Sequence, residues 1–483
     1  VILFDESKII TNNNITVKDG MQLTYVTAGI NNACTIDGYM IMKMNVKTLN
    51  SAFITGESKG AFKYAIAKYS PTTYTSHSIS TLKNKSFEII KTASITSTGE
   101  QTILTKQLPH STKDGYLIIF YIDGDKAFND AGNTSFSATI TAKASQGNAP
   151  EKASALITNL YNNSTKTPVK NNSITYQYDT KNSLMKDTAG NIRYYGASPN
   201  NYIYFNCDSY PSTNCELWRI IGVFGNNVKL VRSEKLGDLS WDSSESSVNN
   251  GWGINQWGES KDANGNEYAG ADLQVYLNKM YYGGDITVTC YNRKNNQTTT
   301  CPANKLDETS KSLIDYHTWN TGVPNDSTLY DSTTNSYDTV EFYKAERGNE
   351  TGKICSSGGW CNDTVTRTTT WTGYVALPYV TDLAYASSES VCETNMQKQD
   401  SSNAYICKNN NWMQRSTWAW YLSPNANGSN ANIAWGVGGV GYAGASGAAN
   451  SGAVAPSIYL KSNVLIESGN GTSSNPYILK AGA

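Results

Sequence analysis

The chain has 483 residues, a net formal charge of −1 and only 16% charged side chains, so it carries no basic footprint for nucleic acid. It contains no run of 18 apolar residues of the kind a membrane-spanning helix needs, and residue 1 lacks a basic leader, so any secretory signal is expected to have been removed. The length predicts two or three domains.

In chain order, residues 1–14 form an N-terminal extension. Val1-Ile-Leu-Phe4 is apolar, Asp5 to Lys8 is polar, and Ile9-Ile10 is apolar again. Such a segment either adds a strand to the sheet edge of a neighbouring subunit or pairs within its own domain. Residues 15–146 carry period-two patterns: Met40, Met42, Met44 and Val46, then Phe136, Ala138, Ile140, Ala142 and Ala144. Between them Tyr116 to Ile122 is a continuous apolar run ending at Asp123-Gly124-Asp125, as a strand buried on both faces would be. Several short strands with turns between them predict a β-sandwich or jelly roll.

Residues 147–192 read as a connector holding a short helix at Ser154 to Tyr161, opened by the turn-rich stretch before Pro150. From 193 to 483 the core changes, because all eleven tryptophans fall between Trp218 and Trp435. Leu217 to Phe224, the turn Gly225-Asn226-Asn227 and Val228 to Arg232 make a hairpin signature. Ala271 to Lys279 and Leu306 to His317 show helical spacing. Further strands are expected at Tyr374 to Tyr379, Ser457 to Lys461 and Tyr477 to Lys480. The fold class is therefore mainly β, with the sandwich followed by a disulfide-stapled, loop-rich α+β domain.

Eight of the nine cysteines form close neighbours: Cys207 with Cys215, Cys290 with Cys301, Cys355 with Cys361, and Cys392 with Cys407. Each pair brackets a polar or Gly-rich loop, and disulfides persist only outside the reducing cytosol. Zinc is the competing reading, but no Cys-x-x-Cys occurs and no histidine lies at knuckle spacing. Cys34 is left unpaired, either a small buried hydrophobe or an intersubunit bridge.

Catalytic signals are sparse. There are only three histidines, His77, His110 and His317, and no His-Glu-x-x-His, so neither a zinc protease nor a His-based triad is expected. His317 reads as a packed or surface residue on a helix face rather than a catalytic base. Acids such as Asp242, Glu245, Asp272 and Glu308 look like surface carboxylates, although glycosidase pairs are invisible to motif reading. Gly436-Val-Gly438-Gly-Val-Gly441 fits a dinucleotide motif in letters alone, since no helical periodicity follows it. It reads as a loop whose backbone packs on aromatic rings. Asp123, Asp125 and Asp130 make a weak calcium loop, with a plain turn as the simpler reading. Trp252, Trp257, Trp360, Trp412 and Trp435 sit in Gly- and Asn-rich loops, where they either contact a ligand or form the core. No cofactor is expected.

Two resemblances follow from particular strings. Tyr39-Met-Ile-Met-Lys-Met44, Gly115 to Gly124 and Phe136 to Ala142, in that order, resemble the camelysin and TasA-type secreted domain of Gram-positive bacteria. That resemblance implies extracellular fibres built by lending an N-terminal strand to the next subunit, here Val1, Ile2, Leu3, Phe4, Ile9 and Ile10. Arg193 to Asn201, Glu216 to Gly222, Trp420 to Pro424 and Pro456 to Leu460 resemble an uncharacterised domain of Gram-positive cell-surface proteins. The expectation is a non-enzymatic structural subunit of a surface fibre, with itself as partner. The alternative is a surface adhesin binding a glycan or host protein through the C-terminal domain, and a secreted hydrolase ranks last.

Overall fold

The structure is a computed structural model. It describes residues 9–480 apart from 30–34, 71–78, 133–134, 147–148, 172–173, 211–212, 244–252, 263–266, 294–296, 349–364, 389–391, 393–394, 398–402 and 426–431. Its fold is mainly β and divides after Pro150 into two compact units.

In the first unit the strands are β1 (Ile10–Thr11), β2 (Asn14–Thr16), β3 (Gln22–Gly29), β4 (Gly38–Thr48), β5 (Phe62–Lys68), β6 (Ser86–Ser94), β7 (Gly99–Leu108), β8 (Lys113–Ile122) and β9 (Ser137–Gln146). A six-stranded sheet runs β1-β2-β6-β5-β8-β3, and a three-stranded sheet runs β7-β4-β9. Met40, Met42 and Met44 project from β4 into a core shared with Ile103 of β7, Phe62 and Ile66 of β5, and Ile118 and Phe120 of β8, so the two sheets pack face to face. The other face of β5 and β8 buries Ala65, Ala67, Leu117, Ile119 and Tyr121 against Ile15, Val17, Met21 and Leu82. Burial on both faces is why Tyr116 to Ile122 has no polar alternation. On β9 the alternating burial extends only as far as Ile140; Ala142 and Ala144 are exposed.

The N-terminal hairpin changes one expectation. Asn12 and Asn13 take φ of 50° and 60°, the left-handed conformation that a two-residue turn demands and asparagine tolerates. Ile10 thereby pairs with Ile15, and Ile9 is buried in its own unit's second core. Ile10 is thus committed to its own sheet and Ile9 to its own unit's core, so neither is free to be lent. Val1, Ile2, Leu3 and Phe4 lie outside the described residues, as does Cys34.

The second unit begins earlier than the connector reading placed it. Glu151–Lys152 pairs with Leu465–Ser468, and the helix Ala153–Asn162 buries Ala153, Ile157 and Tyr161, spaced by four, in the tryptophan core. Thr167–Asn171, Ile174–Asp179 and Leu184–Lys186 are the first strands of a nine-stranded antiparallel sheet. That sheet continues through Ile192–Tyr194, Glu216–Phe224, Asn227–Arg232, Ser457–Tyr459 and Val375–Ala376, with Tyr202–Phe205 also on Glu216–Phe224. The expected hairpin is present, with Gly225 at φ +60°. A five-stranded sheet orders Gly237–Ser240, Ser451–Val454, Ala419–Pro424, Ile433–Val437 and Ala443–Gly447. The helix expected from Leu306 is shorter, Glu308–Leu313, capped by the Asp307 side chain; His317 opens the strand His317–Asn320 instead.

Three bridges, Cys207–Cys215, Cys290–Cys301 and Cys392–Cys407, join the expected partners. Loops this short each constrain the unfolded chain by roughly 2–3 kcal/mol in the loop-entropy model. Cys355 and Cys361 lie outside the described residues.

At the centre of this unit four charges are sealed from water. Arg193 donates from Nε to Asp187 Oδ2 at 2.6 Å and from Nη1 to Asp382 Oδ1 at 2.7 Å. Asp382 Oδ2 accepts from Lys229 Nζ at 2.5 Å and from the Tyr379 backbone N–H at 2.9 Å. Burial alone would raise the Asp382 carboxyl; the charges of Lys229 and Arg193 override it and hold the group down at about 2. A carboxyl held below its unfolded value contributes stability above about pH 4 that is lost as pH falls through about 2, here on the order of 2 kcal/mol. Asp382→Asn leaves two buried cations under-compensated and is expected to cost about 3–5 kcal/mol. Urea unfolding followed by tryptophan fluorescence, which reports the second unit alone, should show that loss, and a flatter acid response between pH 4 and 2 than the native chain.

Candidate functional site

The register of the nine-stranded sheet places Tyr202, Arg219 and Val231 side by side across three strands, since Arg219 pairs with both of the others. Their shared face forms one wall of a cavity of about 280 Å³. The opposite wall comes from Trp412 to Arg415 and from Ala419, Trp420 and Tyr421 on the five-stranded sheet, while Ser233 and Glu234 follow the hairpin at the rim.

Three arginines enter this space, and their surroundings differ. Arg232 is matched: its Nε and Nη2 bind Glu216 at 2.9 and 3.2 Å. Arg219 is held only by neutral oxygens, Asn201 Oδ1 at 2.6 Å and the Pro199 carbonyl at 3.3 Å. Its guanidinium lies over the rings of Tyr202 and Trp412, 3.9 and 4.7 Å from their centroids. Arg415 donates to the Ser233 and Arg232 carbonyls at 2.8 and 2.7 Å. Among the described residues neither Arg219 nor Arg415 has a carboxylate within ion-pair distance. Burial consequently pushes the Arg219 guanidinium down to about 10 and lowers Arg415 as well, the latter partly offset by Tyr421 and the exposed Glu234.

Two neutral side-chain atoms of the lining residues are also unsatisfied, although both are shut off from the open space. Gln414 Oε1 and Ser233 Oγ are buried atoms without a hydrogen-bond partner, although the Gln414 amide nitrogen donates to the Arg415 and Gly438 carbonyls. Buried polar atoms are ordinarily paired. A partly open space lined by the Arg219 and Arg415 guanidiniums is chemically suited to hold an anion.

Of the residues singled out by sequence that the structure describes, Trp412 alone lies at this cavity. Trp412 lines the cavity, its indole N–H donating to the Tyr194 carbonyl at 3.0 Å. Trp257 and Trp435 are core residues at 1% and 0% exposure, which removes them as ligand contacts; the Trp435 indole donates to the Pro324 carbonyl. Trp252 and Trp360 lie outside the described residues. Asp123 pairs with Lys63 at 2.9 Å and accepts from the Asp125 backbone N–H. Asp130 instead ties down the turn at Glu57 and Ser58. These carboxylates face protein donors rather than one another, and no group of three metal-ligating side chains occurs among the described residues.

Asp242 and Asp272 accept backbone N–H groups of Ile254 and Ser243, and so brace loops. Glu308 sits exposed beside Lys311. Glu245 and His77 lie outside the described residues. His317 stacks on Tyr459 at 3.7 Å, and burial lowers its pKa.

Sequence reasoning missed Arg219 and Arg415. The available signal for the first was an arginine set within the apolar run Leu217 to Phe224 of the strand Glu216–Phe224. A scan against protein-family models and a search of curated proteins find no match to this chain.

Gly436 and Gly438 settle the glycine motif. They end one strand and begin the turn of a hairpin, and a Cβ on them would lie 2.4 Å from the Trp418 ring and 2.3 Å from the Tyr442 ring. Gly436→Ala should therefore overpack the contact between this hairpin and the Trp418 ring and cost about 1–3 kcal/mol, measured as a lowered urea midpoint by tryptophan fluorescence.

Proposed function

We propose that this chain is an extracellular surface-binding protein whose second unit captures an anionic ligand in the Arg219–Arg415 cavity. The observation that carries the reading is the pair of guanidiniums held only by neutral oxygens. A desolvated cation with no counter-ion is costly, and a ligand that supplies the charge recovers that cost on binding. Three disulfides support a location outside the cell. Calorimetric titration of the native chain with small carboxylates, phosphate and sulfate should give saturable binding to at least one. Binding should weaken with salt and by about tenfold or more in Arg415→Gln. No saturable binding of any of these anions would sink the reading.

A second reading, assembly into fibres through the first unit, is favoured by one observation. β9, ten residues long, pairs only with β4 among the described residues, leaving its outer edge available for strand addition. Residues 1–8 are the proposed donor segment, and Ile9 and Ile10 must be spared because they belong to the unit's own core. Deleting 1–8 should abolish fibres in negative-stain microscopy while leaving the melting temperature unchanged; normal fibres after that deletion would assign assembly to another contact.

A further inference from the structure

We infer that Asn201 is the positioning residue that sets the charge selectivity of the cavity: its side-chain amide aims the Arg219 guanidinium and leaves the charge free for an anion. This rests on the binding reading above and deepens it.

Both ends of the Asn201 side chain are used, and each fixes the role of the other. Nδ2 donates to the Ile220 carbonyl at 2.8 Å, and Oδ1 accepts from Arg219 Nε at 2.6 Å. A carbonyl can only accept and a guanidinium N–H can only donate, so a single orientation of the amide satisfies both. The backbone repeats the connection, since the Asn201 carbonyl accepts from the Ile220 N–H at 2.8 Å and the Asn201 N–H donates to the Pro199 carbonyl at 3.0 Å. Asn201 is fully buried. The amide is thus clasped to the residue that follows Arg219 in the strand.

These bonds aim the guanidinium. Its Nε goes to Asn201 and its Nη2 to the Pro199 carbonyl at 3.3 Å, while the rings of Tyr202 and Trp412 lie against it. Trp412 is itself held by its indole N–H on the Tyr194 carbonyl. Arg219 lines the cavity, and among the described residues its Nη1 is left without a protein acceptor.

The neutrality of position 201 is the decisive chemistry. Arg193, on the same sheet, shows the alternative: its Nε meets the Asp187 carboxylate at 2.6 Å, the distance at which Arg219 Nε meets the Asn201 amide oxygen. The two arginines receive the same directional bond and differ in the charge of the acceptor. An aspartate at 201 would keep an oxygen for Nε and match Arg219 as Glu216 matches Arg232. A guanidinium matched in this way has little left to gain from a second anion.

The test is calorimetry on the full chain with acetate, phosphate and sulfate, comparing the native protein, Asn201→Asp and Asn201→Ala, each checked by its urea midpoint. Asn201→Asp should weaken the tightest of these anions by about tenfold or more and flatten its salt dependence, because one of the two unmatched charges is neutralised. Asn201→Ala keeps the charge and loses only its aim, so it should bind several-fold more weakly with the native salt dependence. Both variants lose the bond to Ile220, and both are expected to lower the urea midpoint. A role confined to stability would therefore weaken binding in both alike or in neither, and either result overturns the inference. So does Asn201→Asp binding as tightly as the native chain. Should Asn201→Asp not fold, Asn201→Ala decides: native affinity overturns the assignment, and a several-fold loss at native salt dependence supports it. Failure of the native chain to bind any of the three anions would overturn the binding reading together with this one, whereas the other failures remove the role of Asn201 alone.

Discussion

The second unit depends on the Asp382 carboxylate. One of its oxygens receives Arg193 and the other Lys229, and Arg193 reaches on to Asp187, so two cations and two anions close a neutral set without solvent. Each member comes from a different piece of chain: the turn before Ile192–Tyr194, that strand itself, the hairpin strand Asn227–Arg232, and the first turn of the helix Val380–Tyr385. Hydrophobic contact is non-directional and would tolerate several registers between these elements. A buried carboxylate that must meet both cations tolerates one. Aromatic rings complete the enclosure, with Lys229 4.1 Å from the Tyr379 ring and Arg193 4.6 Å from that of Phe224. The energetic weight of such a set lies in the penalty for breaking it, since removing one partner strands a charge in low dielectric.

This fixed centre positions the cavity. Asp382 accepts from the Tyr379 backbone, which anchors the chain just after Pro378, and Pro378 both lines the cavity and receives the Leu422 N–H at 3.0 Å. Arg219 lies on the strand next to the one that carries Lys229. The wall that carries Arg219 is therefore set by strands and by a buried ion network, whereas Arg415 reaches the cavity from the turn and irregular segment that includes Trp412.

Much of the fold was legible because local chemistry and global position agree. Gly225 announced the hairpin, the alternating methionines announced β4, and the unbroken Tyr116 to Ile122 run announced a strand covered on both faces. Close sequence spacing sufficed for three bridges. Legibility failed where burial is decided from afar. Residues 167–186 are polar and Asn-rich, and looked like connector, because they extend a sheet whose hydrophobic reward comes from neighbours distant in sequence. Loop tryptophans such as Trp257 and Trp435 fit a ligand contact or the core equally well in sequence, and it is the covering by distant segments that places them in the core. The cavity was invisible for the same reason: Tyr202, Arg219, Ser233 and Gln414 converge only in three dimensions.

Two arginines set in apolar strands, Arg193 and Arg219, look alike in sequence and mean different things in the fold. Arg193 is fully enclosed and matched by two carboxylates, so its charge is spent on holding strands together. Arg219 is nearly as buried but meets an amide oxygen, a carbonyl and two ring faces. Those contacts orient the guanidinium without neutralising it. A protein selected for stability alone would gain by placing an acid there or by replacing the arginine with an apolar residue. An oriented, desolvated and unneutralised cation at an open cavity is a local inconsistency of the kind functional sites display, and it is the observation on which the proposed anion binding rests.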